Sequence, residues 1–284
     1  MGDISKKLHR KMASKGAGLP IMAPKRRSQP LPGNVKDVGM LIKEGYDPIH
    51  AVYVYIQQTS SLFAEGTSQF PELKEYAKIA AKAEDEYMPS GPPISPLTTS
   101  FFTTWAFYDL QFGRDGDTIA NCQIEANDLI RLNPDQLNAL KCMANSRMGI
   151  YEHVGTEGPH VRLRELITDT ENTCHCPSGY NGRTSELWYV RLLPPLEPEL
   201  ATYSIAFTTP YILMASKADW MSFLRRAMLP LRAANDRAAL HRLLKCGTDP
   251  NYWNEFVFKA YHHHLPNAIF LAGIPDLKST LPHA

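Results

Sequence analysis

The sequence has no continuous apolar run long enough to cross a bilayer, and no apolar core of the kind that an export signal needs. We therefore expect no membrane association. It also has no strong excess of either charge, because 30 Lys and Arg are opposed by 29 Asp and Glu. That balance gives no global attraction to nucleic acid or to an anionic membrane. The five cysteines are an odd count that does not suit a disulfide framework, so we predict reduced thiols and a cytoplasmic location.

Complete catalytic motifs are missing as well. The sequence contains neither a glycine-rich phosphate loop nor a Gly-x-Ser-x-Gly nucleophile elbow. Arg237 and His241 stand closer together than the arginine–histidine signature of HEPN-family ribonucleases requires. Cys142 and Cys246 have no partner signature for nucleophilic catalysis, and their helical context predicts core positions. The leading hypothesis is therefore a non-enzymatic cytoplasmic interaction or adaptor protein with a protein partner.

Residues 1–35 are basic, and Asp3 is the one acid before residue 30. Prolines and glycines interrupt most of this stretch, a composition typical of disorder. We predict a flexible basic N-terminal arm. The alternative is an arm that contacts nucleic acid or directs targeting.

Residues 36–146 have the periodicity of a helical domain. The segment "DPIHAVYVYIQQTSSLFAEG" opens with Asp47 as N-cap and Pro48 at the first helical position. Its β-branched and aromatic run could also form a strand, but the Asp-Pro start and Gly66 favour a helix. Asn133 and Pro134 repeat the same start signal. The aromatic run between residues 101 and 112 has no interleaved Lys or Arg, so it predicts core rather than a base-stacking surface.

The pattern changes at residue 147. Five short β-rich runs separated by turn signals follow, up to residue 215. They predict a small β-barrel of the size of oligonucleotide-binding (OB) or SH3 domains. Residues 216–284 return to helical patterns. The predicted fold class is α+β, mostly helical, with an inserted five-stranded small β-barrel.

The segments "TTWAFYDLQFGRDGDTIANC", "SRMGIYEHV", "VRLRELITDTENTCHCPSG" and "ELWYVRLLPP" occur in an order that resembles uncharacterised bacterial proteins often found with a zinc-binding SEC-C motif. Those proteins join a helical region to a barrel whose second strand reads like "LRDLLTGE" and whose fourth strand ends "RLVP". Residues 162–169 and 191–194 occupy these places here. The resemblance covers roughly residues 97–215 and implies an architecture but no reaction. The SEC-C motif is incomplete, because residues 180–186 contain neither Cys nor His.

Cys174 and Cys176 are the first candidate metal ligands. On a strand their side chains share one face, while that of His175 points to the other. A structural zinc site needs about four N or S ligands. His153 and His160 are the candidates to complete it. The alternative is a barrel strand with two buried thiols and no cofactor.

A second candidate metal site contains His262 and His263, followed by His264, with His241 and Glu255 as neighbours. We predict that these histidines continue a helix, where one helix can direct only one or two of them to a metal. A metal-dependent hydrolase built on this cluster is one alternative function. The other interpretation is that the histidines cap the C-terminus of the helix.

The barrel also carries the residue types that a surface for single-stranded nucleic acid needs, which are arginines for the backbone and aromatic rings for the bases. The candidate binding residues are Arg162, Arg164, Arg183, Arg191, Tyr180, Trp188 and Tyr189. Six acids in the same segments dilute this charge. A nucleic-acid-binding protein that uses the barrel and the N-terminal arm is therefore a further alternative. We expect a ligand first at the loop that holds Tyr180 and Arg183.

Overall fold

A computed structural model describes residues 2–14, 36–88, 99–196 and 202–283. The chain forms two compact units, Met1–Lys82 with Thr104–Asn145 and Ala83–Thr103 with Ser146–Ala284. Helices hold about 52% of the described residues, and the named strands all belong to the second unit. The predicted fold class, α+β with a five-stranded barrel in a mostly helical chain, is confirmed. Over these ranges we find no helix that combines the length and the apolarity needed to cross a membrane.

The helices differ in length from 4 to 20 residues. Those before the barrel are α1 (Asp3–Ser14), α2 (Val38–Lys43), α3 (Pro48–Thr67), α4 (Lys74–Tyr87), α5 (Thr99–Thr104), α6 (Ile119–Glu125), α7 (Asn127–Ile130) and α8 (Pro134–Asn145). Those after it are α9 (Lys217–Met228), α10 (Asp236–Cys246) and α11 (Tyr252–Ala260).

Helix α1 corrects the prediction of a flexible arm. Leu8 and Met12 on this helix are buried. The buried carboxylate of Asp117 accepts hydrogen bonds from the backbone N–H of Gly2 at 2.9 Å and from that of Ser5 at 3.2 Å. An acid far from the helix in sequence thus satisfies N–H groups that have no partner inside the helix. The prediction is wrong for residues 3–14, and residues 15–35 lie outside the described ranges.

Two predicted helix starts are confirmed. The Asp47 carboxylate accepts hydrogen bonds from the N–H groups of Ile49 at 2.9 Å and His50 at 3.1 Å, so this segment is a helix and not a strand. At α8, the Asn133 side chain accepts from the Gln136 N–H at 2.9 Å, and the Gln136 side chain accepts from the Asn133 N–H at 3.1 Å. This reciprocal pair is a capping box with amide side chains.

The aromatic run forms core, as predicted. Its six rings are at most 9% exposed. They are Phe101, Phe102, Trp105, Phe107, Tyr108 and Phe112.

The strands form one sheet in which five close a barrel. They are β1 (Met148–Glu157), β2 (His160–Glu165), β3 (Glu171–His175), β4 (Leu187–Leu193), β5 (Ser204–Ala206), β6 (Tyr211–Leu213), β7 (Tyr261–Leu265) and β8 (Ala268–Leu271). The first three are an antiparallel meander, and β4 returns to pair with β1, which makes a Greek key. Strand β5 completes the circle by pairing with β4 and, in parallel, with β3. Five-stranded Greek-key barrels are typical of OB domains, but this architecture alone does not indicate a function.

The sheet extends beyond the predicted barrel. The fifth predicted β-rich run divides into β5, which closes the barrel, and β6, which pairs with β4 and with β8. The hairpin of β7 and β8 lies in residues 216–284, which we predicted to be helical. That prediction is therefore wrong for the hairpin.

Strand β4 is buried on both faces. Trp188 and Val190 belong to the barrel core, together with Cys174 and Cys176 from the β3 side. On the opposite face, the ring of Tyr189 lies 5.2 Å from that of Trp253 and 6.2 Å from that of Phe101. Helical elements thus cover the face of β4 that an isolated barrel would expose.

Candidate functional site

Of the aromatic residues of the predicted barrel surface, Trp188 and Tyr189 are buried, and Tyr180 is partly buried against the barrel core. Trp188 is 0% exposed, and its ring lies 5.3 Å from that of Tyr180. The Tyr180 hydroxyl donates to the Glu186 carboxylate at 3.1 Å, and burial, reinforced by Glu186, raises the pKa of Tyr180 to about 12. Gly182 has a φ of +64°, and a Cβ there would lie 2.6 Å from the Trp188 ring. The β3–β4 loop therefore closes over Trp188, and the prediction that this ring stacks on bases is wrong.

Arg191 is also part of the interior, with 0% exposure. Its Nη1 donates to Ser146 Oγ at 2.8 Å, and its backbone N–H donates to Thr208 Oγ1 at 3.0 Å. The structure therefore corrects the prediction that Arg191 lies on a binding surface.

Arg162 and Arg164 lie on the solvent side of β2, as predicted, but both are paired with acids. Arg162 Nε donates to Glu171 Oε1 at 2.7 Å across the β2–β3 pair. Arg164 Nη2 donates to Glu152 Oε2 at 2.8 Å on β1, and its Nε lies 3.5 Å from Asp169. Positive charge on this face of the barrel is thus locally neutralised, which disfavours a phosphate-binding surface.

Arg183 is exposed in the β3–β4 loop, as predicted. Its backbone carbonyl accepts from the Glu186 N–H at 3.1 Å, which tightens the loop. Of the four predicted binding arginines, Arg183 is thus the one that is neither buried nor paired with a carboxylate among the described residues.

The two barrel thiols point inward, as the two-residue spacing predicts. Cys174 is 0% exposed with Sγ 3.6 Å from the Asn172 carbonyl, and Cys176 Sγ lies 3.4 Å from Ser178 Oγ. Burial raises the pKa of both thiols. His153 is buried instead against Trp188.

The remaining candidate zinc ligand, His160, points elsewhere. It stacks on Tyr203 with ring centroids 4.5 Å apart, and His175, on the other face of its strand, lies near both rings. Across the part of the chain that the structure describes, no group of three or more His, Cys, Asp and Glu side chains converges in a way that could hold a metal ion.

The histidine cluster lies on strand β7 rather than on a helix, because α11 ends at Ala260 and the chain turns back as a hairpin. The prediction of a helical cluster is wrong. His262 Nδ1 and His263 Nδ1 are 2.8 Å apart, and the His263 ring stacks on Phe270 at 4.3 Å. Glu255, the predicted neighbour, pairs with Lys259 at 2.7 Å. Within the described part of the chain, the cluster thus brings together two exposed imidazoles, and no carboxylate joins them in a group that could hold a metal ion.

A different basic surface lies on α9 and α10, and none of the predictions from the sequence included it. Residues 217–246 contain seven bases and two acids, a local excess that the overall balance conceals. The bases are Lys217, Arg225, Arg226, Arg232, Arg237, Arg242 and Lys245. Side chains cap both helices, since Ser216 accepts from the Asp219 N–H at 3.2 Å and Asn235 from the Ala238 N–H at 2.9 Å. Counting charge in successive windows would have found this segment.

Some of these bases have partners and others do not. Arg226 forms a bidentate ion pair with Asp276, in which Nε donates to Oδ2 at 3.0 Å and Nη2 donates to Oδ1 at 3.1 Å. The guanidinium groups of Arg225 and Arg232, by contrast, form no ion pair or hydrogen bond with any residue in the described ranges. Unpaired guanidinium groups keep their full capacity to bind carboxylate or phosphate.

Arg225 and Arg232 border a groove of about 530 Å³ between α9 and α10. Leu229 lies between them on the connecting turn and is 83% exposed. We call this surface the arginine groove; its lining residues are Arg225, Met228, Leu229, Arg232, Ala233, Asn235, Asp236 and Ala239. Its formal charge is +1, because Asp236 offsets one of the two arginines.

Comparison with known proteins gives no relative on which to base a role for these surfaces. The chain matches no family model, no curated protein and no solved structure. The resemblance to SEC-C-associated bacterial proteins therefore stays a prediction, and any function has to be argued from the geometry described above.

Proposed function

We propose that this chain is a non-enzymatic cytoplasmic interaction protein whose arginine groove binds an acidic segment of a protein partner. The observation that carries the proposal is Leu229, a large apolar side chain that is 83% exposed between Arg225 and Arg232. A partner segment with one apolar side chain and flanking carboxylates would complement this arrangement.

The two kinds of contact have different roles in this proposal. Full burial of a leucine side chain contributes about 1.5–3 kcal/mol. Arginine–carboxylate pairs at the rim of an interface mainly steer association and select the partner. Leu229 is therefore expected to provide affinity, while Arg225 and Arg232 provide selectivity for acidic sequences.

A protein partner suits the groove better than nucleic acid does. Single-stranded nucleic acid is held by aromatic rings that stack on bases. The large apolar side chains that are exposed among the described residues of the second unit are all aliphatic: Met214, Leu229, Leu265 and Leu277. An exposed leucine adds nothing to phosphate binding, whereas it is a useful anchor for a peptide.

The alternatives at the predicted sites have weaker support. Binding of nucleic acid at the barrel would have to displace Glu152 and Glu171 from their arginines. Among the residues that the structure describes, a metal-dependent hydrolase would have two neighbouring ligands in this cluster, His262 and His263. The cytoplasmic location in the proposal is supported by the cysteines, none of which forms a disulfide in the described structure.

Peptide display tests the proposal directly. Random peptides are selected on the wild-type protein after depletion on a Leu229→Asp, Arg232→Glu double variant. We expect the enriched peptides to combine acidic residues with a leucine or an aromatic residue. Arg183 is an exposed arginine outside the groove, so the control variant Arg183→Ala should bind these peptides as the wild type does. Enriched peptides without an acidic bias would contradict the proposal. So would tight, salt-sensitive binding of single- or double-stranded oligonucleotides that depends on Arg225 and Arg232.

A further inference from the structure

A second cavity of the same unit lies where helix α10 faces the barrel. This cleft has a volume of about 340 Å³, within the range of small-molecule sites. Arg147 and Glu165 contribute from the barrel side, and Arg237 and His241 contribute from α10. No residue of the arginine groove lines it.

An ion pair with little exposure lines the cleft. Arg147 Nη2 donates to Glu165 Oε1 at 2.8 Å, and the two side chains are 12% and 9% exposed. The Thr168 hydroxyl donates to the other carboxylate oxygen at 2.6 Å. Both oxygens of Glu165 are thus engaged, and its charge is balanced by Arg147. The acid at the base of the cleft therefore does not repel an incoming anion strongly.

The rim of the cleft carries the positive charge of Arg237. The guanidinium of Arg237 forms no ion pair or hydrogen bond with any residue that the structure describes. His241 lies one helical turn further along α10 and lines the same cleft. With His241 neutral, Arg147, Glu165 and Arg237 give the cleft a formal charge of +1.

We propose that this cleft is a binding site for a small organic anion with a single carboxylate and a hydroxylated carbon skeleton, and that Arg237 binds the carboxylate. The formal charge of the cleft matches one negative charge. The planar guanidinium donates two parallel N–H groups, a geometry that fits a carboxylate.

The rest of the lining suits the body of such a molecule. Asn172 and Ser204 provide polar groups for hydroxyls, and Leu192 and Pro194 provide apolar contacts for carbon atoms. Tyr151 lines the cleft as well and adds part of an aromatic ring to its apolar lining. A cleft with few polar groups placed among apolar ones is typical of a ligand site.

Ligand-observed saturation-transfer NMR tests the site with defined probes. The probes are gluconate and quinate, with inositol as the uncharged counterpart and inorganic phosphate as a competitor. We expect signal transfer from gluconate or quinate to the full-length protein and none from inositol. Arg237→Ala should weaken binding by about tenfold or more, because a charge-assisted hydrogen bond is lost.

Two variants distinguish binding in this cleft from binding in the arginine groove and from a loss of folding. Arg232→Ala, which removes a guanidinium from the arginine groove, should leave carboxylate binding unchanged. Thermal unfolding of Arg237→Ala should match that of the wild type, because Arg237 is exposed. The proposal is overturned if no probe shows binding that depends on Arg237, if inositol binds as well as gluconate, or if phosphate displaces the carboxylates at much lower concentration.

Discussion

Removing the Asp117 carboxylate should release helix α1. This carboxylate accepts hydrogen bonds from the N–H groups of Gly2, Ile4 and Ser5 at 2.9, 3.1 and 3.2 Å. It also accepts from the Ser5 hydroxyl at 3.1 Å. Asp117 is 2% exposed, so in Asp117→Ala these donors lose their acceptor in a place with little access to water.

The magnitude follows from the type of contact. Loss of a helix cap costs about 0.5–2 kcal/mol, and a hydrogen bond to a charged group contributes about 1.5–3 kcal/mol. These contributions overlap, because they share one carboxylate, so we expect a total of about 3 kcal/mol for Asp117→Ala. The population in which α1 is detached should then rise roughly a hundredfold. Asp117→Asn keeps one acceptor oxygen and should have a smaller effect.

Hydrogen exchange measured by mass spectrometry on the peptide that contains α1 is the suitable assay, supported by trypsin cleavage at Lys6 and Lys7. Asp115→Ala is the matched control. Asp115 accepts one exposed hydrogen bond, from the Asp3 N–H at 2.8 Å, so its loss should change exchange much less. If Asp117→Ala leaves exchange of α1 unchanged while the first unit stays folded, the account of how this helix is held is wrong.

Three further predictions concern the second unit. Burial lowers the pKa of His153, so as the pH drops below the ordinary value of 6.5 the unfolded chain binds this proton before the folded chain does, and the free energy of unfolding should fall. Urea unfolding at pH 7.5 and 5.5 measures this loss of stability, which should be smaller in His153→Phe. Glu165→Ala should destabilise the second unit by about 3 kcal/mol, because Arg147, which is 12% exposed, loses its ion-pair partner, and the same unfolding assay measures the loss. Native Cys174 and Cys176 should resist iodoacetamide until the protein unfolds, since burial disfavours their thiolates; rapid labelling in the native state, read by mass spectrometry, would contradict the buried positions.

Local signals in the sequence predicted much of the fold. Asp47 and Asn133 are helix caps whose partners lie two or three residues away, so the sequence contains the whole interaction. The two-residue spacing of Cys174 and Cys176 likewise fixes their common face once the strand is recognised. Alternation and turn residues located the barrel for the same reason.

The failed predictions depend on contacts between distant parts of the chain. The cap that holds α1 comes from Asp117, more than a hundred residues away. Arg191 has the charge of a surface residue, but the packing of helical elements on β4 decides that it is buried. The acids that pair with Arg162 and Arg164 follow from strand register, which composition does not reveal.

The histidine hairpin is a different kind of failure, because a local signal was present. Pro266 and Asn267 separate two short runs, and such a pair is a turn signal. The strong helical pattern of α11 just before the histidines obscured it. The arginine groove escapes the sequence predictions for a related reason: they rest on the charge of the whole chain, the N-terminal arm and the barrel, and the excess of bases lies in residues 217–246.

The affinity of the selected acidic peptide for wild type, Leu229→Ser and Arg183→Ala tests the central claim most directly. Fluorescence anisotropy at constant ionic strength measures all three dissociation constants. Because Leu229 is the proposed apolar anchor, Leu229→Ser should weaken binding by about tenfold or more, and Arg183→Ala should have no effect. Unchanged binding to Leu229→Ser together with loss of binding to Arg183→Ala would move the interaction site to the barrel loop and contradict the proposed function.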